Sequence, residues 1–121
     1  MIVAGFGFRQ GAALASLQAA LALAQQGHEP VTRLATVRDK IVGLRPLADA
    51  LGLPLTAVDP AVLAEVETIT HSPVSFNAYG TGSVAEASAL AAAGPGARLL
   101  GARHISPDRM ATCAIAQGPV T

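Results

Sequence analysis

Apolar positions along the chain form short continuous runs, separated by glycine, proline and polar clusters, with helical-period segments between them. The first run, residues 1–5, reads as a strand. It leads into a glycine turn, Gly5-Phe6-Gly7-Phe8-Arg9. Over 12–26 an alanine-rich segment sets Leu14, Leu17, Leu21 and Ala24 at helical spacing, with Gly27 as its C-cap. Residues 31–37 read as a second strand in spite of Arg33. A second helical piece starts at Asp39 or Lys40. Its stronger part is 46–51, with Pro46 at a helix-start position and Gly52 as the stop. Residues 53–58 are a short third strand. Asp59-Pro60 then supplies an N-cap and a first-position proline for a short helix over 60–66.

Residues 68–75 read as loop, with Ser72-Pro73 breaking any regular element. A second glycine loop, 77–82, feeds a helix over 84–93 that Gly94-Pro95-Gly96 ends. Residues 99–102 and 112–116 close the chain as two more strands. This order predicts an α/β fold with a mostly parallel, mixed sheet of about five strands in a single domain, residues 1–121.

Composition narrows the picture. About half the residues (51%) are apolar but only 3% are aromatic, so the core is built from Ala, Leu, Val and Ile. Small side chains favour close helix-on-sheet packing. Charged residues are 13% of the chain, against roughly 25% in an average domain. The net charge is zero, which argues against a nucleic-acid partner. The weakly charged surface leaves a homo-oligomer open. The single cysteine, Cys113, forms no internal disulfide, and the N-terminus has no basic run, so a cytoplasmic protein without a secretory signal is expected. The apolar stretch 12–24 is too short to span a bilayer, and no membrane partner is expected.

The candidate chemistry lies where strands feed helices, the edge at which open α/β sheets bind ligands. Gly5, Gly7, Phe8 and Arg9 are candidates at the first such edge: the glycines let a ligand approach the backbone, and Arg9 pairs with carboxylate or phosphate. Lys40 follows the second strand as Arg9 follows the first, with Thr36 between them. The glycine spacing is off the dinucleotide pattern, and no acidic residue ends the second strand, so no nucleotide cofactor is expected. The second loop adds Gly80, Gly82, Ser83 and Glu86. Ser83 and Glu86 also fit a capping box, in which Glu86 reaches back to Ser83. His28, His71 and His104 lack metal-ligand spacing, so no metal is expected; nor do His104, Ser106 and Asp108 make a triad merely by being close in sequence. Cys113, within an apolar strand, reads as a buried thiol.

Five segments, in order, resemble one family. They are Val3-Ala4-Gly5-Phe6-Gly7-Phe8-Arg9 with Ser16-Leu17; Leu34-Ala35-Thr36 with Lys40; Leu47-Ala48 through Leu51-Gly52-Leu53-Pro54-Leu55; Gly82-Ser83-Val84-Ala85-Glu86-Ala87-Ser88-Ala89-Leu90; and Thr112-Cys113-Ala114-Ile115-Ala116. Together they resemble the cobalamin-biosynthesis proteins of the CobE type, which are similar to the C-terminal domain of the hydrolase CbiG. The resemblance implies a three-layer α/β/α domain and a place in corrin-ring synthesis. It does not bring the lactone-opening activity of full-length CbiG, whose N-terminal region has no counterpart here.

The expected ligand is then a precorrin or hydrogenobyrinic-acid-type intermediate, bound or carried on the strand C-terminal edge. Arg9, Lys40 and the glycine loops would meet its carboxylates, and Phe6, Phe8 and Tyr79 its apolar ring. One alternative is an enzyme acting on that ligand, with Glu86 or Lys40 as acid/base and Ser83 or Thr36 orienting. Another is a non-catalytic interaction domain whose partner is a pathway enzyme.

Overall fold

The computed structural model describes residues 1–119. Strand β1 (Ile2–Phe8) leads to helix α1 (Leu14–Gln25), and β2 (Arg33–Val37) leads through a 3₁₀ turn, Arg38–Lys40, into α2 (Ile41–Leu51). Strand β3 (Leu55–Val58) is followed by three helices: α3 (Pro60–Leu63), α4 (Pro73–Tyr79) and α5 (Val84–Ala93). Strands β4 (Arg98–Leu99), β5 (His104–Ile105) and β6 (Ala111–Gln117) end the fold. The sheet is mixed and runs β3-β2-β1-β6-β4, with β5 also paired to β6. Its parallel part is β1-β2-β3, and β6 runs antiparallel to β1 from Ile2 opposite Gln117 to Phe8 opposite Ala111.

Side chains alternate along a strand, so β1 faces two cores. Ile2, Ala4 and Phe6 pack on Leu17 and Leu21 of α1 and on Leu44 and Leu47 of α2. Val3, with Ala35 and Val37 of β2, packs on Leu63, Ala87 and Ala89 from α3 and α5. The result is the expected α/β arrangement, with helices on both faces of the sheet. Among the described residues no helix is long and apolar enough to cross a membrane.

Several local expectations are corrected. The first strand runs to Phe8, because β6 pairs with it all the way; Gly5 and Gly7 are therefore strand residues, and the turn begins at Arg9. Gly5 faces α5: a Cβ there would lie 2.1 Å from the Ala85 carbonyl oxygen and 2.5 Å from the Ala89 nitrogen. The missing side chain is what lets α5 seat on the sheet. Pro46 lies inside α2, not at its start; it is exposed, so the carbonyl it leaves without a donor can face water.

Helix α4 occupies part of the expected loops. Ser72 caps it through a bond from the Ser75 N–H, Pro73 takes its first turn, and Gly80, at φ +70°, ends it by donating its N–H to the Phe76 carbonyl at 2.8 Å. None of its residues is buried, so it carried no apolar period to read.

Candidate functional site

The end of β1, the turn before α2, helix α4 and the β5–β6 hairpin enclose a cleft of about 340 Å³. It lies at the C-terminal edge of β1. Four cationic residues, Arg9, Lys40, Arg103 and Arg109, line it. Among the described residues no Asp, Glu or His does. Hydroxyls of Ser72, Ser75, Tyr79 and Thr112 complete its polar surface.

Each wall is held by the fold. The Arg9 N–H donates to the Met110 carbonyl at 2.8 Å, which ties the end of β1 to the hairpin. Lys40 Nζ donates to the Phe8 carbonyl oxygen at 2.7 Å and stands 5.3 Å from the centre of the Phe8 ring. Arg109 sits in the hairpin turn at φ +62°, its N–H donating to the Ser106 carbonyl at 2.8 Å. Asp108 secures the same turn, accepting from Ser106 Oγ at 2.6 Å and the Met110 N–H at 3.1 Å. It also accepts from Ser16 Oγ near the start of α1. These bonds, that from Ser106 first, hold the exposed Asp108 carboxyl below the usual aspartate range. On the opposite wall, Tyr79 Oη donates to Asp39 Oδ2 at 2.7 Å, joining α4 to the turn that carries Lys40. Burial and the Asp39 carboxylate push the Tyr79 phenol up to about 12.

The expected residues divide into three groups. Gly7, Phe8, Arg9 and Lys40 line the cleft. Gly5, Thr36, Ser83 and Glu86 are enclosed in the fold. Buried Thr36 donates its Oγ1 to the Phe6 carbonyl at 2.8 Å, stitching β2 to β1. Ser83 Oγ accepts from the Glu86 N–H at 3.1 Å, half of the expected capping box. Glu86 does not close the other half: its carboxylate turns to residues 69–70 and 103, and the Ser83 N–H goes to Thr81 Oγ1.

Gly80 and Gly82 line a separate groove of about 640 Å³ on the far side of α4. The Gly80 N–H is spent on the α4 cap. Gly82 packs so closely on the 68–71 segment that a Cβ would lie 2.2 Å from the Thr70 carbonyl oxygen. Cys113 is buried opposite Phe6, and burial pushes its thiol far up, so it stays protonated. Phe6, expected on the ring-binding surface, is wholly in the core.

Arg103 and Arg109 also line the cleft and were not among the expected residues. A signal was present: residues 98–109 carry three arginines against one aspartate. Only the hairpin, folded back on β6, brings two of them to the end of β1.

Comparison with known proteins points one way. Residues 2–116 match the family model described as cobalamin synthesis G C-terminus. Among solved structures, CobE, a protein from the cobalamin (vitamin B12) biosynthetic pathway, is 34% identical with a TM-score of 0.89, over 100% of this chain and 92% of that one. The cobalamin biosynthesis protein chiG from Agrobacterium tumefaciens is 36% identical with a TM-score of 0.74, over 99% of this chain and 100% of that one. A cobalamin biosynthesis protein G homolog from Sulfolobus solfataricus shares the fold at 19% identity and a TM-score of 0.75, and this chain covers 37% of its length. No curated protein matches.

Proposed function

The chain belongs to the cobalamin synthesis G C-terminus family, and from that membership we propose that it binds and carries a precorrin or hydrogenobyrinic-acid-type intermediate in the cleft at the end of β1. The observation behind this reading is the charge pattern of the cleft: Arg9, Lys40, Arg103 and Arg109 converge there with no acidic residue among the described lining.

Corrin precursors carry acetate and propionate groups around an extended apolar ring. Guanidinium groups pair bidentately with carboxylates, and an ammonium adds a compact point charge. The side chains of Val74 and Ala78 give the ring an apolar border. At about 340 Å³ the cleft is at the small end of ligand pockets, so it holds an edge of such a macrocycle and leaves the rest exposed. An exposed ring can be handed to the next enzyme. The set of cations and hydroxyls suits holding anions more than moving protons. The chain's zero net charge makes the attraction local, without long-range steering.

Absorbance titration with purified hydrogenobyrinic acid and its precursors tests the reading. Saturable spectral change with at least one of them is expected; no change with any would refute it.

A further inference from the structure

Glu86 is fully buried, yet it is a carboxylate on a helix whose other residues, Ser88 apart, are apolar. An alanine or leucine would satisfy the packing of α5 without the desolvation that a charge brings. Its partners show what the charge does. Oε1 accepts from the Ile69 N–H at 2.7 Å and the Thr70 N–H at 2.9 Å. Oε2 accepts from Thr70 Oγ1 at 2.6 Å and the Arg103 N–H at 2.9 Å. The donors come from two irregular segments, 64–72 and 100–103, which have no strand or helix ladder of their own.

Both segments lead directly into the cleft. Thr70 is two residues before Ser72, which caps α4, lines the cleft and donates its N–H to the Gly82 carbonyl at 2.8 Å. Arg103 is itself one of the four cations. One rigid helix therefore grips the root of the α4 wall with both oxygens of a carboxylate and the root of the arginine wall with one of them.

We infer that Glu86 is the positioning residue of the cleft, setting the distance between α4 and Arg103 so that a polycarboxylate can bridge them. The inference rests on the reading of the cleft as a polycarboxylate site. Glu86 itself touches no ligand. A glutamine in its place keeps the shape but points an NH2 group at a donor, so at least one of the two grips is lost.

The test uses Glu86→Gln with two readouts. Amide hydrogen exchange should rise at 69–72, at 102–104 or at both, while β1 and β6 stay protected. With uroporphyrin, a tetrapyrrole polycarboxylate, as probe, affinity should fall about tenfold, as expected for losing hydrogen bonds to a charged group. The double-mutant cycle with Arg103→Gln should be non-additive, the combined loss falling short of the two single losses, because Glu86 acts by placing Arg103.

Unchanged affinity, additive losses, or unaltered exchange at both segments would overturn the inference. If the parent protein does not bind uroporphyrin, the titration with hydrogenobyrinic acid and its precursors decides the proposed function, and the exchange data alone decide whether Glu86 holds the two segments. If Glu86→Gln does not fold, Thr70→Val removes a single donor and should loosen residues 69–72 in the same way, to a smaller degree; no loosening there would count against the inference.

Discussion

Lys40 Nζ and Phe8 form a closed pair at the end of β1: the ammonium donates to the Phe8 carbonyl oxygen at 2.7 Å and lies 5.3 Å from the centre of the same residue's ring. The carbonyl and the ring face both attract the cation, so the charge is held at the cleft rather than swinging in solvent. Lys40→Met removes both contacts and keeps most of the apolar stem. Denaturant unfolding should show a loss of about 1–2 kcal/mol. Tetrapyrrole affinity should fall as well, while Lys40→Arg, which keeps the charge, should retain part of it.

Arg109 occupies the left-handed region, where a side chain costs about 1–2 kcal/mol. A glycine relieves that cost but adds about 0.5–1 kcal/mol of unfolded-state freedom. Arg109→Gly should therefore leave stability unchanged or raise it by up to about 1.5 kcal/mol, yet weaken polycarboxylate binding. Thermal melts and ligand titrations moving in opposite directions would show that the arginine is kept for its charge. A fall in both would show that the hairpin turn depends on its side chain.

Gly5→Ala places a methyl group against the Ala85 carbonyl and the Ala89 backbone. Neither can move without shifting α5, so a loss of at least about 1–3 kcal/mol is expected. Equilibrium unfolding measures it. Gly11→Ala should be milder sterically, because none of the described residues lies within 4 Å of its added Cβ, although its φ of +84° brings backbone strain.

Acid sensitivity should trace partly to Glu86. Desolvation raises its pKa, but the opposing hydrogen bonds from Thr70, Arg103 and Ile69 prevail and hold it below the ordinary glutamate range. A group with a depressed folded-state pKa stabilises at pH above its unfolded value, and that stability is lost as pH falls through the folded value. Unfolding free energy should thus decline on acidification below about pH 4.5. In Glu86→Gln this part of the decline should vanish, leaving a lower but flatter profile. An identical slope in the two proteins would show that other carboxylates set the acid limit.

Much of the fold was legible because burial leaves a period. The runs at 1–5, 31–37 and 112–116 and Leu17, Leu21 and Ala24 of α1 mark core faces, and the structure places elements at each; Leu14, expected on the same face, is exposed at the first position of α1. The place of Arg9 and Lys40 at one cleft was legible because each follows a strand of a parallel pair. What escaped has physical reasons. Helix α4 buries nothing, so only its Ser72-Pro73 start and Gly80 stop marked it, the same grammar that was readable at Asp59-Pro60. The glycines at 5 and 7 resembled a ligand turn, and only the approach of α5 shows that Gly5 makes room for a helix. Glu86 looked like a capping partner, because the donors that claim it lie 16 and 17 residues away in loops.

The central claim is that Arg9, Lys40, Arg103 and Arg109 form one polycarboxylate-binding cleft. It is tested most directly by equilibrium titration of uroporphyrin against the parent protein and against Arg9→Gln, Arg103→Gln and Arg109→Gln, at low and high salt. The account predicts saturable binding that weakens as salt rises, with each substitution costing about threefold to tenfold in affinity. Absence of binding by the parent protein, or binding equally tight in all three variants, would contradict it.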